Sequence, residues 1–289
     1  MLQELLISPF TEFQFMQRAL AGSLALCLSA PLIGVFLMLR RMSLTGDAMS
    51  HAILPGAAIG YLVAGLSVEA MTLGGLVAGG VVVLLSGAVS RLTKSGEDSS
   101  LAAFYLISMA LGVLLISTRG SNVDLLHVLF GSTLALNDSA LWLLGSITSL
   151  TLLALALLLR PLALECLDPD FLATVSRSGS WVHMAFLLLA VLNLIAGFHA
   201  LGTLMAVGIM ILPGAAMRYW SGTLAGLLAG ACACAFVSAI AGLLLSYHLG
   251  WPTSPTIILA LGLFYFVSLF FGRREGLIWR YVRLRHLER

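Results

Sequence analysis

The sequence predicts an all-α integral membrane protein: a single domain over residues 1–289, built as a bundle of eight to nine transmembrane helices. Three observations predict it. The chain is 60% hydrophobic and only 10% charged, whereas a soluble domain carries about 25% charged residues to keep itself in water. Eight runs without Asp, Glu, Lys or Arg come close to or exceed the length a helix needs to cross a bilayer, roughly 20 residues. Once the runs are alternated across a membrane, the basic residues gather on one side. The net charge of +2 says little about partners, and nucleic acid is not an expected one.

In chain order, residues 1–18 open with MLQELLISPFTEF, which is acidic and has no basic region ahead of an apolar stretch. That argues for an interfacial helix rather than a cleaved signal peptide. The eight runs cover 19–39, 70–90, 101–118, 139–159, 181–198, 199–217, 221–247 and 252–272. A ninth, 53–67, is short and contains Pro55, so it either crosses with a kink or turns back. Between the third and fourth runs, SNVDLLHVLF carries Asp124 and His127 on a stretch read as a solvated interfacial helix. If all nine cross, thirteen of the fifteen Lys and Arg residues fall on one face, leaving Arg18 and Arg119 on the other. Such an excess marks the cytoplasmic side. If 53–67 turns back, Arg40 and Arg41 change sides. Either version puts the 160–180 loop and the basic tail, 273–289, in the cytoplasm.

Small residues are spaced for close helix packing. Ala48, Ala52, Gly56, Gly60 and Ala64 recur every four residues and form one ridge, and Gly75 and Gly79 make a second small pair. In lipid, helices associate through such close approach. The four cysteines, Cys27, Cys166, Cys232 and Cys234, show neither a disulfide framework nor zinc-finger spacing. Three of them lie inside apolar runs, where Cys packs as a small hydrophobe.

The chemistry concentrates in GDAMSHAILPG. Asp47 and His51 stand one helical turn apart and share a face. One intramembrane histidine is ordinarily a hydrogen-bonded neighbour, but the pair is another matter. A charged side chain toward the bilayer interior costs about 2.5–3.5 kcal/mol on insertion scales, and such residues line ion or substrate paths. Carboxylate oxygen and imidazole nitrogen together suit zinc, manganese or ferrous iron. Two ligands are too few, so water, another part of the chain or a second subunit must complete the set. His199 opens HALGTLMAVGIMILPG, with Thr203 one turn later on the same face, and is a further candidate ligand.

The largest polar insertion is RPLALECLDPDFLATVSRSGSW, residues 160–181. Asp168 or Asp170, beside Pro169, can start a short helix that ends near Gly179. Lys94 is the only lysine and has no glycine-rich loop before it, so the G-x-x-x-x-G-K-[ST] phosphate loop is missing. ATP hydrolysis, if it drives the protein, must come from another subunit. Nor is there an H-E-x-x-H motif for intramembrane proteolysis. The chain therefore reads as a transport subunit rather than an enzyme. A secondary transporter with Asp47 as proton carrier is the alternative from another class.

SLTGDAMSHAILPGAAIGYL, LGTLMAVGIMILPGAAMRYW and PTSPTIILALGLFYFVSLFFG, in that order, resemble the membrane permeases of bacterial ABC-type zinc and manganese uptake systems. The resemblance runs over nearly the whole chain. It implies an ABC importer permease fold in the inner membrane, paired with a second permease copy. It also implies two cytoplasmic ATP-binding subunits, an extracytoplasmic metal-binding protein, and zinc or manganese as cargo with no permanently bound cofactor. Asp47 and His51 become the expected metal-path residues. LDPDFLATVSRSG, including Asp168, Pro169, Asp170, Phe171 and Gly179, becomes the helix that couples to the ATPase. A permease for a vitamin or metal chelate is the rival within the same superfamily; a wider, less charged path would suit it. The sequence departs from the pattern at YHLGWPTSPT, where Trp251 stands at a position that is often acidic.

Overall fold

The computed structural model describes residues 7–65, 67–92, 97–118, 136–167, 179–274 and 276–279. Among these the secondary structure is helical, with no strand. In chain order the helices are α1 (Ser8–Glu12), α2 (Gln14–Leu39), α3 (Ser43–Ala52), α4 (Leu54–Ala64), α5 (Val68–Leu92) and α6 (Glu97–Thr118). There follow α7 (Asp138–Leu167), α8 (Gly179–Leu201), α9 (Thr203–Met217), α10 (Leu224–Leu249) and α11 (Thr253–Phe271). Six of the described helices, α2, α5, α7, α8, α10 and α11, are long and apolar enough to cross a membrane; parts of α6 and all of α9 form shorter apolar helices.

Helix α2 is the hub, packed against α7, α8, α9 and α10. Its side chains Met16, Leu26, Ile33, Phe36 and Leu37 are buried along its length. Glycine sets how near its neighbours come. A Cβ at Gly34 would stand 1.6 Å from the Met210 carbonyl oxygen, so α2 and α9 touch backbone to backbone. The same close approach joins α4 to α5 through Gly56, Gly60 and Gly74. Ala48 and Ala52, earlier in the ridge, pack on Val82 and Leu101. Ala64, at its far end, is exposed.

Ion pairs at the two ends of α2 fix its direction relative to α7. Arg18 Nη2 lies 2.9 Å from Asp138 Oδ1 where both helices begin. Arg40 Nη2 lies 2.6 Å from Glu165 Oε2 where both finish, and Arg40 Nη1 is 2.8 Å from His183 Nδ1 near the start of α8. The α2–α3 corner therefore shares one end of the bundle with the α7 and α8 ends that flank residues 168–178.

Several boundaries differ from the sequence expectations. Helix α2 starts at Gln14, so Arg18 belongs to it and not to an interfacial segment. Helix α7 runs on through Arg160 and Pro161 to Leu167. Proline removes one hydrogen bond from a helix, but Leu162 is fully buried and Glu165 is held by Arg40, so the turn beyond Pro161 stays helical. Of the expected 160–180 loop, residues 160–167 and 179–180 are therefore helical, and 168–178 lie outside the described residues. The 53–67 run is the second half of a broken pair: α3 and α4 follow one another with the helix interrupted at Ile53, just ahead of Pro55.

Candidate metal site

Helix α3 begins directly after a tight corner in which Arg41 adopts φ 61. Its inward face is made of Thr45, Ala48, Met49 and Ala52, all buried. Gly46 faces α9, with Ile211 Cδ1 at 3.4 Å from the position of a Cβ. The opposite face carries Leu44, Asp47 and His51. The i, i+4 spacing brings His51 Nε2 to 3.9 Å from Asp47 Oδ1, with the side chains 36% and 62% exposed. The two are neighbours on an open face, and the separation is too long for a hydrogen bond.

That separation suits a shared ion. Metal–nitrogen and metal–oxygen bonds of about 2.1 Å let one ion reach two donors up to about 4.2 Å apart. A tetrahedral angle corresponds to about 3.4 Å, which a small side-chain rotation supplies. Among the described residues no third His, Cys, Asp or Glu joins them to complete a ligand set. Two donors on an open face are fewer than a metal ion's coordination sphere requires.

Neighbouring groups hold the pair in place. The His51 ring lies over Tyr105 of α6, with centroids 6.2 Å apart and planes inclined by 29°. Ser108, one turn further on α6, donates its hydroxyl to the Ala52 carbonyl oxygen at 3.0 Å, just where the helix breaks. Proline at the head of α4 cannot donate to the preceding turn, so a side chain from the neighbouring helix supplies a bond at the break. Ser50 Oγ turns back to the Asp47 carbonyl oxygen at 2.7 Å. Neither Tyr105 nor Ser108 was singled out from sequence. Only the pairing of α3 with α6 brings them to the site, although a tyrosine within an apolar run was a visible signal.

The other candidates fare differently. His199 lies in the last turn of α8 and Thr203 opens α9, but Gly202 between them has φ 90, the left-handed region that glycine enters readily. The expected continuous run from 199 to 217 is therefore interrupted at Gly202, between His199 and Thr203. Asp168, Pro169, Asp170 and Phe171 lie outside the described residues, as do Asp124 and His127. Gly179 is the first residue of α8. Cys27, Cys166, Cys232 and Cys234 form no disulfide.

Residues 12–272 match the model of the ABC 3 transport family. The chain is 32% identical to the "Manganese transport system membrane protein MntC" of Halalkalibacterium halodurans, over 94% of this chain and 92% of that protein. It is 29% identical to the "Manganese import system permease protein ScaB" of Streptococcus parasanguinis, over 93% of this chain and 95% of that protein. Among solved structures, "PsaBC from Streptococcus pneumoniae in complex with Fab" contains a chain that aligns with a TM-score of 0.84 at 25% identity. The alignment covers 99% of this chain and all of that one.

Proposed function

Because the chain belongs to the ABC 3 transport family, we propose that it is the permease of an ATP-driven importer and carries a divalent transition metal ion inward through a path lined by Asp47 and His51. The cargo is manganese or zinc. Ferrous iron is a third ion that the same oxygen and nitrogen donors accept. The observation that carries this reading is the pairing of a carboxylate and an imidazole, 3.9 Å apart, beside a helix break. Broken helices beside a path are how transporters place ion sites within the membrane.

In this reading α3 and α4 make one broken crossing, which brings the crossings to nine. The end of the bundle that carries Arg40, Glu165 and His183 faces the cytoplasm, with the basic C-terminal tail, by the excess of positive charge there. The Arg18 end faces outward. A second permease copy brings its own Asp47 and His51 to the path, so two half-sites complete one transient coordination sphere. An external metal-binding protein delivers the ion. Two cytoplasmic ATP-hydrolysing subunits dock on residues 168–178 and switch which side is open.

A half-site suits this task. A transported ion must be bound well enough to be collected and loosely enough to leave. Asp47 supplies charge to replace hydration. His51, stacked on Tyr105, supplies a directed nitrogen. The test is manganese and zinc uptake by the reconstituted importer in vesicles, with and without ATP. Asp47→Ala and His51→Ala should each abolish uptake while the permease still assembles with its partners. Uptake at the unmodified rate in either variant, or uptake that needs no ATP, would contradict the reading.

A further inference from the structure

At the end of the bundle nearest residues 168–178, three polar side chains from three helices meet in the interior. The Arg40, Glu165 and His183 side chains are 7%, 14% and 13% exposed. Arg40 Nη2 donates to Glu165 Oε2 at 2.6 Å and Nη1 to His183 Nδ1 at 2.8 Å. A guanidinium has no acceptor, so Nδ1 accepts and the imidazole proton sits on Nε2. His183 Nδ1 is also 3.4 Å from Glu165 Oε1. The guanidinium lies over the Phe186 ring at 4.7 Å, and that ring meets Phe36 of α2 edge-on. Among the described residues Arg40 Nε has no partner. The Arg18–Asp138 pair at the opposite end is exposed by comparison, at 36% and 73%.

The three residues hold particular places in the chain. Glu165 lies three residues ahead of 168–178 and His183 five residues after it. Arg40 caps α2 three residues before α3 begins, and α3 carries Asp47 and His51. Between them Arg41 holds φ 61, a left-handed conformation unfavourable for a side chain with a Cβ. Such a residue persists where its surroundings over-determine it, and strain of this kind gathers at moving parts. We infer that the Arg40–Glu165–His183 cluster is the joint that makes the end of α7, the start of α8 and the α2–α3 corner, which carries Asp47 and His51, move as one body, with Arg40 and Glu165 as positioning residues for transport. Charge-assisted hydrogen bonds of this kind are strong and directional. They tie the end of α7 and the start of α8 to α2, and the taut Arg41 turn passes displacement on to α3. The inference rests on reading 168–178 as the ATPase-docking segment.

The test uses the whole importer in vesicles, with manganese as the ion, and measures ions moved per ATP hydrolysed alongside each rate. In Arg40→Met, ATP hydrolysis should stay within about twofold of the unmodified rate while ions per ATP fall by about tenfold, within the range that changes along a coupling network produce. Arg40→Lys should recover part of the loss. Arg40→Met leaves Glu165 buried without its partner and can prevent assembly. The double variant Arg40→Met/Glu165→Met, which buries no charge, then carries the measurement and should be equally uncoupled. An unchanged ratio of ions to ATP in an assembled variant, with both rates declining in proportion, would overturn the inference, since a merely structural cluster behaves that way. Asp170→Arg separates the underlying reading. If the ATP-hydrolysing subunits still co-purify and couple with it, the docking assignment fails, while the ratio in the Arg40 variants still decides on the joint.

Discussion

Replacing Gly56 with alanine should push α4 away from α5 and take the turn that carries Asp47 and His51 with it. A Cβ at position 56 would stand 1.9 Å from the Gly74 carbonyl oxygen and 2.7 Å from Ala78 Cβ, whereas ordinary contact begins near 3.4 Å. The oxygen is backbone and cannot swing aside, so the helices must part by about 1.5 Å. Overpacking a tight contact costs about 1–3 kcal/mol. The gain in helix propensity on replacing glycine by alanine, up to about 1 kcal/mol, offsets only part of it. Only Ile53 separates α4 from α3, so much of that shift reaches His51. Uptake should fall by up to about 100-fold, the scale of loss when a positioned group is displaced by an ångström. Thermal unfolding of the purified permease, followed by tryptophan fluorescence, and manganese uptake by the assembled importer are the two readouts. Gly262→Ala is the control, because nothing lies within 4 Å of a Cβ at that position. If Gly56→Ala matches Gly262→Ala in stability and uptake, α4 and α5 are not in backbone contact and the reasoning fails.

Three other outcomes follow from the same geometry. Ser108→Ala removes the hydroxyl that serves the Ala52 carbonyl at the break and should cost about 0.6 kcal/mol, typical of a hydrogen bond between membrane helices, read as a small loss of thermal stability. Tyr105→Phe keeps the ring over His51 and should leave metal affinity unchanged; Tyr105→Leu removes a ring contact worth about 0.5–1.5 kcal/mol and should weaken affinity several-fold by equilibrium binding. Arg18→Ala breaks an exposed pair worth at most about 1 kcal/mol, and uptake should stay unchanged.

The apolar runs made the long helices legible, since charge exclusion over about 20 residues has few other meanings. The glycine ridge announced close helix packing, because only a missing Cβ permits backbone approach, but not that its partner would be α5. Asp47 and His51 were legible because helical periodicity alone puts them on one face. The α8–α9 break was legible only to within a few residues: the apolar runs were parted at 198/199, whereas the helices part at Gly202, whose φ of 90 no local pattern announces among so many glycines. The end of α7 was hidden for a related reason. Arg160 and Pro161 look like a stop, and what overrides them is burial of Leu162 and the ion pair of Glu165 with a residue 125 positions away. Tyr105 and Ser108 likewise owe their roles to a neighbouring helix. Local pattern specifies elements and faces, whereas contacts between distant segments decide breaks, joints and supports.

The most direct test is equilibrium binding of manganese to the purified, assembled importer, with X-ray absorption spectroscopy of the bound ion. Asp47 and His51 as cargo ligands predict a first shell of oxygen and nitrogen that loses its imidazole signature in His51→Ala, and loss of binding in Asp47→Ala. An unaltered shell and affinity in both variants would contradict that assignment.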